Sequence, residues 1–178
     1  MIIQKLFSPV SLSKNQFWIK QGQYCNDIVF IESGKFRIYY EDEEGNEVTC
    51  YFLGANQFAS SFTSFLTHTP TMENIIAIEE TNISSISRDT LEYLSELIPK
   101  IHIWRRIITE NLFILMEKRV AMLQSQSAHE RYELFLLENP EILLSVPLQY
   151  TASFLGITPQ HLSRLRKQLI EKDRINRL

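Results

Sequence analysis

Along the first ninety residues, apolar and polar positions alternate in short bursts separated by turn formers. "DIVFIESGKFRIYYEDEEGNEVTCYFLGANQF" holds the runs Ile28–Glu32, Lys35–Tyr40 and Val48–Leu53. Ser33-Gly34 divides the first two, and Glu44-Gly45-Asn46 lies in the acidic stretch before the third. Segments rich in Val, Ile, Phe and Tyr, broken by Gly and Asn, are strand and hairpin signals. Within the second run Phe36, Ile38 and Tyr40 alternate with Lys35, Arg37 and Tyr39, the period of a half-buried strand. A further strand pair is predicted around Glu73–Ile78 and Ile83–Ser87. Many short strands at this spacing favour an antiparallel sandwich or jelly roll over a parallel sheet. The chain shows no internal repeat and no low-complexity stretch.

After Pro99 the period lengthens. Ile101, Trp104, Ile108, Leu112, Leu115 and Met122 follow one another at intervals of 3, 4, 4, 3 and 7 residues. That predicts a helix of more than twenty residues with a seam close to a coiled coil. Arg119 interrupts the seam, and Ile103, Ile107 and Ile114 add a second apolar edge. A helix apolar on more than one side needs partners on both, here the β domain and a second subunit. The six seam residues are therefore the predicted dimer interface. "SAHERYELFLLENPEI" predicts another helix from Ala128 to Glu138, closed by Asn139-Pro140. A last helical pair runs from about Leu148 onward.

That pair, "PLQYTASFLGITPQHLSRLRKQLIEK", has the parts of a helix-turn-helix. Pro147 suits a first helical turn, Ala152 permits close crossing, and Gly156 suits a left-handed helix end. Thr158 can cap the second helix and Pro159 can occupy its first position. At 100° per residue Leu162, Leu165 and Leu169 lie within about 60° of one another. Gln160, Arg164, Lys167 and Glu171 cluster opposite them, with His161 and Ser163 on the flanks. Arg can fork onto guanine and Gln onto adenine in a major groove. Thr158, Ser163 and Lys167 suit phosphate contacts, which set register. Thr158, Gln160, His161, Ser163, Arg164 and Lys167 are thus the predicted DNA-binding set, and double-stranded DNA the predicted partner.

Charge agrees with this placement. The net charge of −3 conceals 6 Lys/Arg against 13 Asp/Glu in residues 1–97, and 12 against 8 in residues 98–178. An acidic front and a basic end suggest two modules, with a polyanion held at the C-terminal one. Composition is that of an ordinary globular protein, 44% hydrophobic and 22% charged. Apolar runs such as Ile75-Ile76-Ala77-Ile78 are too short to span a bilayer. The start "MIIQKLFSPVSLSKNQ" lacks signal-peptide features, so a cytoplasmic protein without membrane contact is expected. Two cysteines, Cys25 and Cys50, make neither a disulfide framework nor a metal motif.

The order of these parts resembles transcription regulators of the Crp/Fnr type over nearly the whole chain. "KQGQYCNDIVFIESGKFRIYY" is similar to that family's early strands, and "YFLGANQF" to the approach to its phosphate-binding cassette. Ile101–Met122 corresponds to its dimerisation helix, and "YTASFLGITPQHLSRLRKQL" to its DNA-reading pair. The resemblance implies an α+β fold with an N-terminal antiparallel β jelly roll, a long dimerisation helix and a C-terminal helix-turn-helix domain. The expected boundaries are 1–97, 98–125 and 126–178. It also implies a homodimer, RNA polymerase as a further partner, and no catalytic residues.

Departures from the family pattern are as informative. Cyclic-nucleotide-binding members carry a Gly-Glu pair for the ribose and, about ten residues on, an Arg and a small residue for the cyclic phosphate. Laid on "NQFASSFTSFLTHTPTMENI", Ser60-Ser61 falls at the first pair and Thr71-Met72 at the second. No Lys or Arg occurs between Arg37 and Arg88. A buried cyclic phosphate would lose its charge-assisted partner, so cAMP and cGMP are not expected to bind. The cysteine cluster of the iron–sulfur branch is missing, and His68 and His102 are haem ligands by residue type only, so no cofactor is expected. After the second helix only "EKDRINRL" follows, too short for the family's two-stranded wing, so that either the wing is absent or the sequence is truncated or disordered beyond Leu178; Arg174 and Arg177 are candidates for its backbone contacts.

Two other readings compete. An unidentified small effector would sit in the β domain, where "FASSFTSF" is either pocket lining or core. A jelly-roll metalloenzyme would need converging His or carboxylates, but no His-x-His pair or zinc motif occurs, so no metal site is expected.

Overall fold

The computed structural model describes residues 6–175, with the side chains of residues 143, 144, 170 and 172–175 left aside. Two compact units emerge: Met1–Asn46 with Cys50–Phe113, and Ile114–Leu178 with Glu47–Thr49. The division falls between Phe113 and Ile114.

The first unit is an eight-stranded β structure: β1 (Ser8–Leu12), β2 (Phe17–Ile19), β3 (Asp27–Ser33), β4 (Phe36–Glu41), β5 (Glu47–Leu53), β6 (Phe58–Ala59), β7 (Glu73–Ala77) and β8 (Thr81–Ser87). They form two four-stranded sheets ordered β1-β8-β3-β6 and β2-β7-β4-β5. Every pairing for which the register is described is antiparallel, including Ile31 opposite Ile83 and Ile38 opposite Ile75. Strand alternation turns Val29, Ile31, Phe36, Ile38, Ile75 and Ile83 into one buried cluster. β4 departs from the half-buried pattern. Arg37 and Tyr39 are buried too, with the guanidinium 4.3 Å from the Tyr39 ring centroid.

A second cluster covers the outer face of the β1-β8-β3-β6 sheet. Ile28 of β3 and Ile86 of β8 meet α1 (Phe62–Thr67), α2 (Arg88–Leu97) and the start of α3 (Lys100–Ser125). Neither α1 nor α2 was visible in the apolar spacing, and β1, β2 and β6 also escaped it, being short or edge strands. Ser87 caps α2 by accepting from Thr90 N–H, a local signal that could have announced it.

The expected dimer seam divides here. Ile101 and Trp104 pack into the second cluster, and Ile108 and Leu112 turn toward Ile28, Phe62 and Phe65 of the same unit. All four are half-buried, so the apolar floor on the sheet takes up part of their surface within the chain itself. Leu115 stays exposed and Met122 is half-buried. What the helix leaves in solvent is another row: Phe113 (67% exposed), Met116, Val120 (52%) and Leu123.

The second unit continues with α4 (Ala128–Glu138), α5 (Pro140–Ser145), α6 (Leu148–Phe154) and α7 (Pro159–Ile175). Ser127 and Glu130 close a capping box at the start of α4, which holds the Glu130 carboxyl below its ordinary range. Asn139-Pro140 ends α4 as expected and also opens α5, Pro140 supplying its first turn. No helix among the described residues is long and apolar enough to cross a membrane.

Candidate nucleic-acid interface

α6 and α7 are joined through Leu155–Thr158. Gly156 adopts φ +66°, and Ile157 N–H donates to the Ala152 carbonyl at 3.0 Å, closing the end of α6. Thr158 caps α7, its hydroxyl accepting from His161 N–H at 3.2 Å. Ala152, Leu155, Leu162 and Leu165 are buried together with Thr151, so the two helices cross through small and aliphatic side chains. Phe154 reaches back to Phe135 of α4, ring centroids 5.1 Å apart.

Arginines tie this corner down. Arg131 donates through Nε to the Leu155 carbonyl at 2.9 Å and through Nη1 to the Gln126 carbonyl at 2.6 Å. Arg119 donates to the Phe154 carbonyl and lies 4.1 Å over that ring. Arg166 donates to the Tyr132 hydroxyl at 3.3 Å. Three cations of the basic C-terminal region therefore serve its interior, which charge counting alone could not separate from surface cations.

Among the cations left outward are Arg164 and Lys167 of the expected set, along with Lys100, Arg106 and Lys118 of α3. Thr158, Gln160, Ser163, Arg164 and Lys167 are exposed on α7, with Glu171, while His161 is half-buried on the flank. Leu162 and Leu165 face the interior and Leu169 is half-buried. The helix thus presents a polar strip holding Gln, Arg and Lys, able to donate to base edges and phosphates alike. Arg177 lies outside the described residues, and so does the side chain of Arg174.

The stretch that the resemblance lays on the cassette is tied together by hydroxyl hydrogen bonds. Ser61 and Thr71 are both buried, and their hydroxyls hydrogen bond to each other at 2.7 Å. Thr71 also accepts from Glu73 N–H at 2.9 Å, and Ser60 donates to the Asp27 carbonyl at 2.9 Å. Cys25 lies beside Ser60, its backbone N–H donating to the Ser64 hydroxyl at 2.9 Å. Burial pushes the Cys25 thiol above its ordinary pKa, against smaller opposing hydrogen bonds. Phe65 of "FASSFTSF" belongs to the second cluster, and Phe58 and Phe62 pack against it. His68 ends α1 in a left-handed conformation and pairs with Arg88. Among the described residues no group of three or more His, Cys, Asp or Glu could hold a metal ion.

Comparison with known proteins gives the same outline. Residues 9–96 match the cyclic nucleotide-binding domain family. No curated protein matches the sequence. Among solved structures, FixK2 from Bradyrhizobium japonicum is 18% identical with a TM-score of 0.82, covering 94% of this chain and 86% of its own. The c-di-GMP responsive global regulator CLP of Xanthomonas campestris is 14% identical, TM-score 0.78, covering 96% and 90%. A protein assigned to the crp/fnr family of transcriptional regulators from Eubacterium rectale is 19% identical, TM-score 0.78, covering 96% and 82%. At such identities the likeness is one of fold.

Proposed function

We propose that this chain, in which residues 9–96 carry a cyclic nucleotide-binding domain and whose fold is that of Crp/Fnr regulators, is a homodimeric, sequence-specific transcription regulator. The observation that carries the reading is the sorting of α7: Leu162 and Leu165 inward, Gln160, Arg164 and Lys167 outward. An arginine and a glutamine in the first two turns of such a helix match what a major groove requires. Lys167, Ser163 and Thr158 set register on phosphates. In a symmetric pair the two copies of α7 read half-sites about 34 Å apart. RNA polymerase is the further partner of such a regulator, and the cytoplasm its place of work.

Dimerisation uses the apolar row that α3 leaves exposed. Phe113, Met116, Val120 and Leu123 recur at intervals of 3, 4 and 3 residues, the spacing of a coiled-coil seam. Neither cAMP nor cGMP is its ligand. In support, the two cassette positions that would meet ribose and phosphate are Ser61 and Thr71, neutral hydroxyls bonded to each other. A small effector bound elsewhere in the first unit is a second reading, favoured by an apolar cavity of about 780 Å³ outside the β1-β8-β3-β6 sheet.

The test is selection of bound duplexes from a random pool, followed by Arg164→Ala on the selected site. The expected loss is about 1–3 kcal/mol with relaxed discrimination at one base pair. Unchanged affinity of the variant would remove α7 from the groove.

A further inference from the structure

We propose that the cavity outside the β1-β8-β3-β6 sheet binds an aryl carboxylate, with Lys100 as the partner of the anion. This rests on the effector reading and gives it a place and a ligand chemistry. The sheet supplies one wall and the start of α3 the other. Phe30 of β3 sits opposite Ser84 of β8 in the strand register, so a small residue lies where an aliphatic one would fill the space. The resulting volume, about 780 Å³, is in the range of small-molecule sites.

The walls select for a flat ring. Phe30 and Phe58 lie 5.1 Å apart and tilted, and Phe58 meets Trp104 edge to face at 5.3 Å. Such a chain of rings offers both faces and edges to a further aromatic group, a gain beyond buried area alone. Leu94 of α2 closes the side.

Two charged residues stand at the rim. Glu32 already accepts a short hydrogen bond from the Ser84 hydroxyl, so its carboxylate is engaged. Lys100 has no hydrogen bond or ion pair among the described residues and is the first residue of α3. The first-turn N–H groups of that 26-residue helix add to its positive potential. A carboxylate attached to a ring therefore finds a cation at the mouth and apolar surface within. An ammonium would be repelled by Lys100 and would find at the rim only Glu32, one oxygen of which is already bonded to Ser84.

Naphthylacetate, naphthylethanol and naphthylethylamine share a ring and differ in charge, and isothermal titration of the full chain with each tests the assignment. The expected result is one site per chain, with the acetate bound about threefold to fivefold more tightly than the alcohol, as befits a solvent-exposed ion pair. The preference shrinks at high salt. Lys100→Gln brings the acetate down to the alcohol and leaves the alcohol unchanged. Ser84→Leu fills the cavity and abolishes all three titrations. Should that variant not fold, the indole N–H resonance of Trp104 in the parent chain locates the ligand by its shift. Equal binding of the three probes, an amine preference, indifference to Lys100→Gln, an unmoved Trp104 resonance or no binding at all each overturns the proposal. Duplex binding is measured without probe, so its loss alone sinks the DNA reading and leaves this one standing.

Discussion

Ser61 and Thr71, ten residues apart in the chain, join their buried hydroxyls in a 2.7 Å hydrogen bond. By the resemblance Ser61 stands at the family's ribose-contacting Glu and Thr71 at its phosphate-contacting Arg, and here the two hydroxyls bond to each other. Titration with cAMP should give no saturable heat at millimolar concentrations. Thr71→Val keeps the shape but strips Ser61 and the Glu73 N–H of their partner, and should cost about 1–3 kcal/mol in denaturant unfolding.

Gly34 and Gly22 make a matched pair of substitutions. Both have positive φ, +88° and +85°. A Cβ on Gly34 would lie 2.4 Å from the Glu80 carbonyl oxygen, whereas one on Gly22 meets nothing within 4 Å. Gly22→Ala should cost only the backbone strain, about 1–2 kcal/mol. Gly34→Ala adds a collision between main-chain neighbours and should cost more than that, measured by the same unfolding curves.

Val120→Glu places a charge in the exposed row of α3. Sedimentation should show a dimer for the parent chain and a monomer for the variant, with helix content retained. Trp104→Ala acts within the first unit instead, removing the ring against Phe58 and lowering stability by about 2–3 kcal/mol without changing the oligomer. The opposite pattern would return the interface to the seam that includes Trp104.

Arg131 and Lys167 are both cations of the second unit with different work. Arg131→Met leaves the Leu155 and Gln126 carbonyls without their donor and should lower stability by about 1.5–3 kcal/mol. Lys167→Ala should leave stability alone, weaken all duplexes alike, and reduce the slope of log affinity against log salt by about 0.9.

Cys25 gives a pH signature. Its thiol pKa is raised in the folded chain, chiefly by burial. The folded state therefore loses relative stability as pH rises from the ordinary thiol range through the raised value, and loses none below the ordinary thiol range. Alkylation mapped by mass spectrometry at mildly alkaline pH should leave Cys25 unmodified until denaturant is added.

Much of this architecture was legible because local rules and tertiary packing agree. The run Ile28–Glu32 is rich in β-branched and aromatic residues between turn formers, and it folds within the strand Asp27–Ser33. Ala128–Glu138 has a cap, a period and a proline stop, and folds with those bounds. The polar strip of α7 followed from 3.6-residue periodicity, a property of the helix alone. β6 and α1 were illegible because two and six residues are too few to show a period.

Which apolar face meets which neighbour was another matter. α3 carries apolar residues on more than one side, so spacing names several seams without ranking them. The floor of Ile28, Phe65 and Ile86 decided that Ile101 and Trp104 turn inward, and left Phe113 and Val120 outside. Likewise every arginine carries the same charge in sequence, yet Arg119, Arg131 and Arg166 find acceptors across the fold while Arg164 is left exposed. Periodicity is written along the chain and can be read there. A partner distant in sequence exists only once the chain has folded.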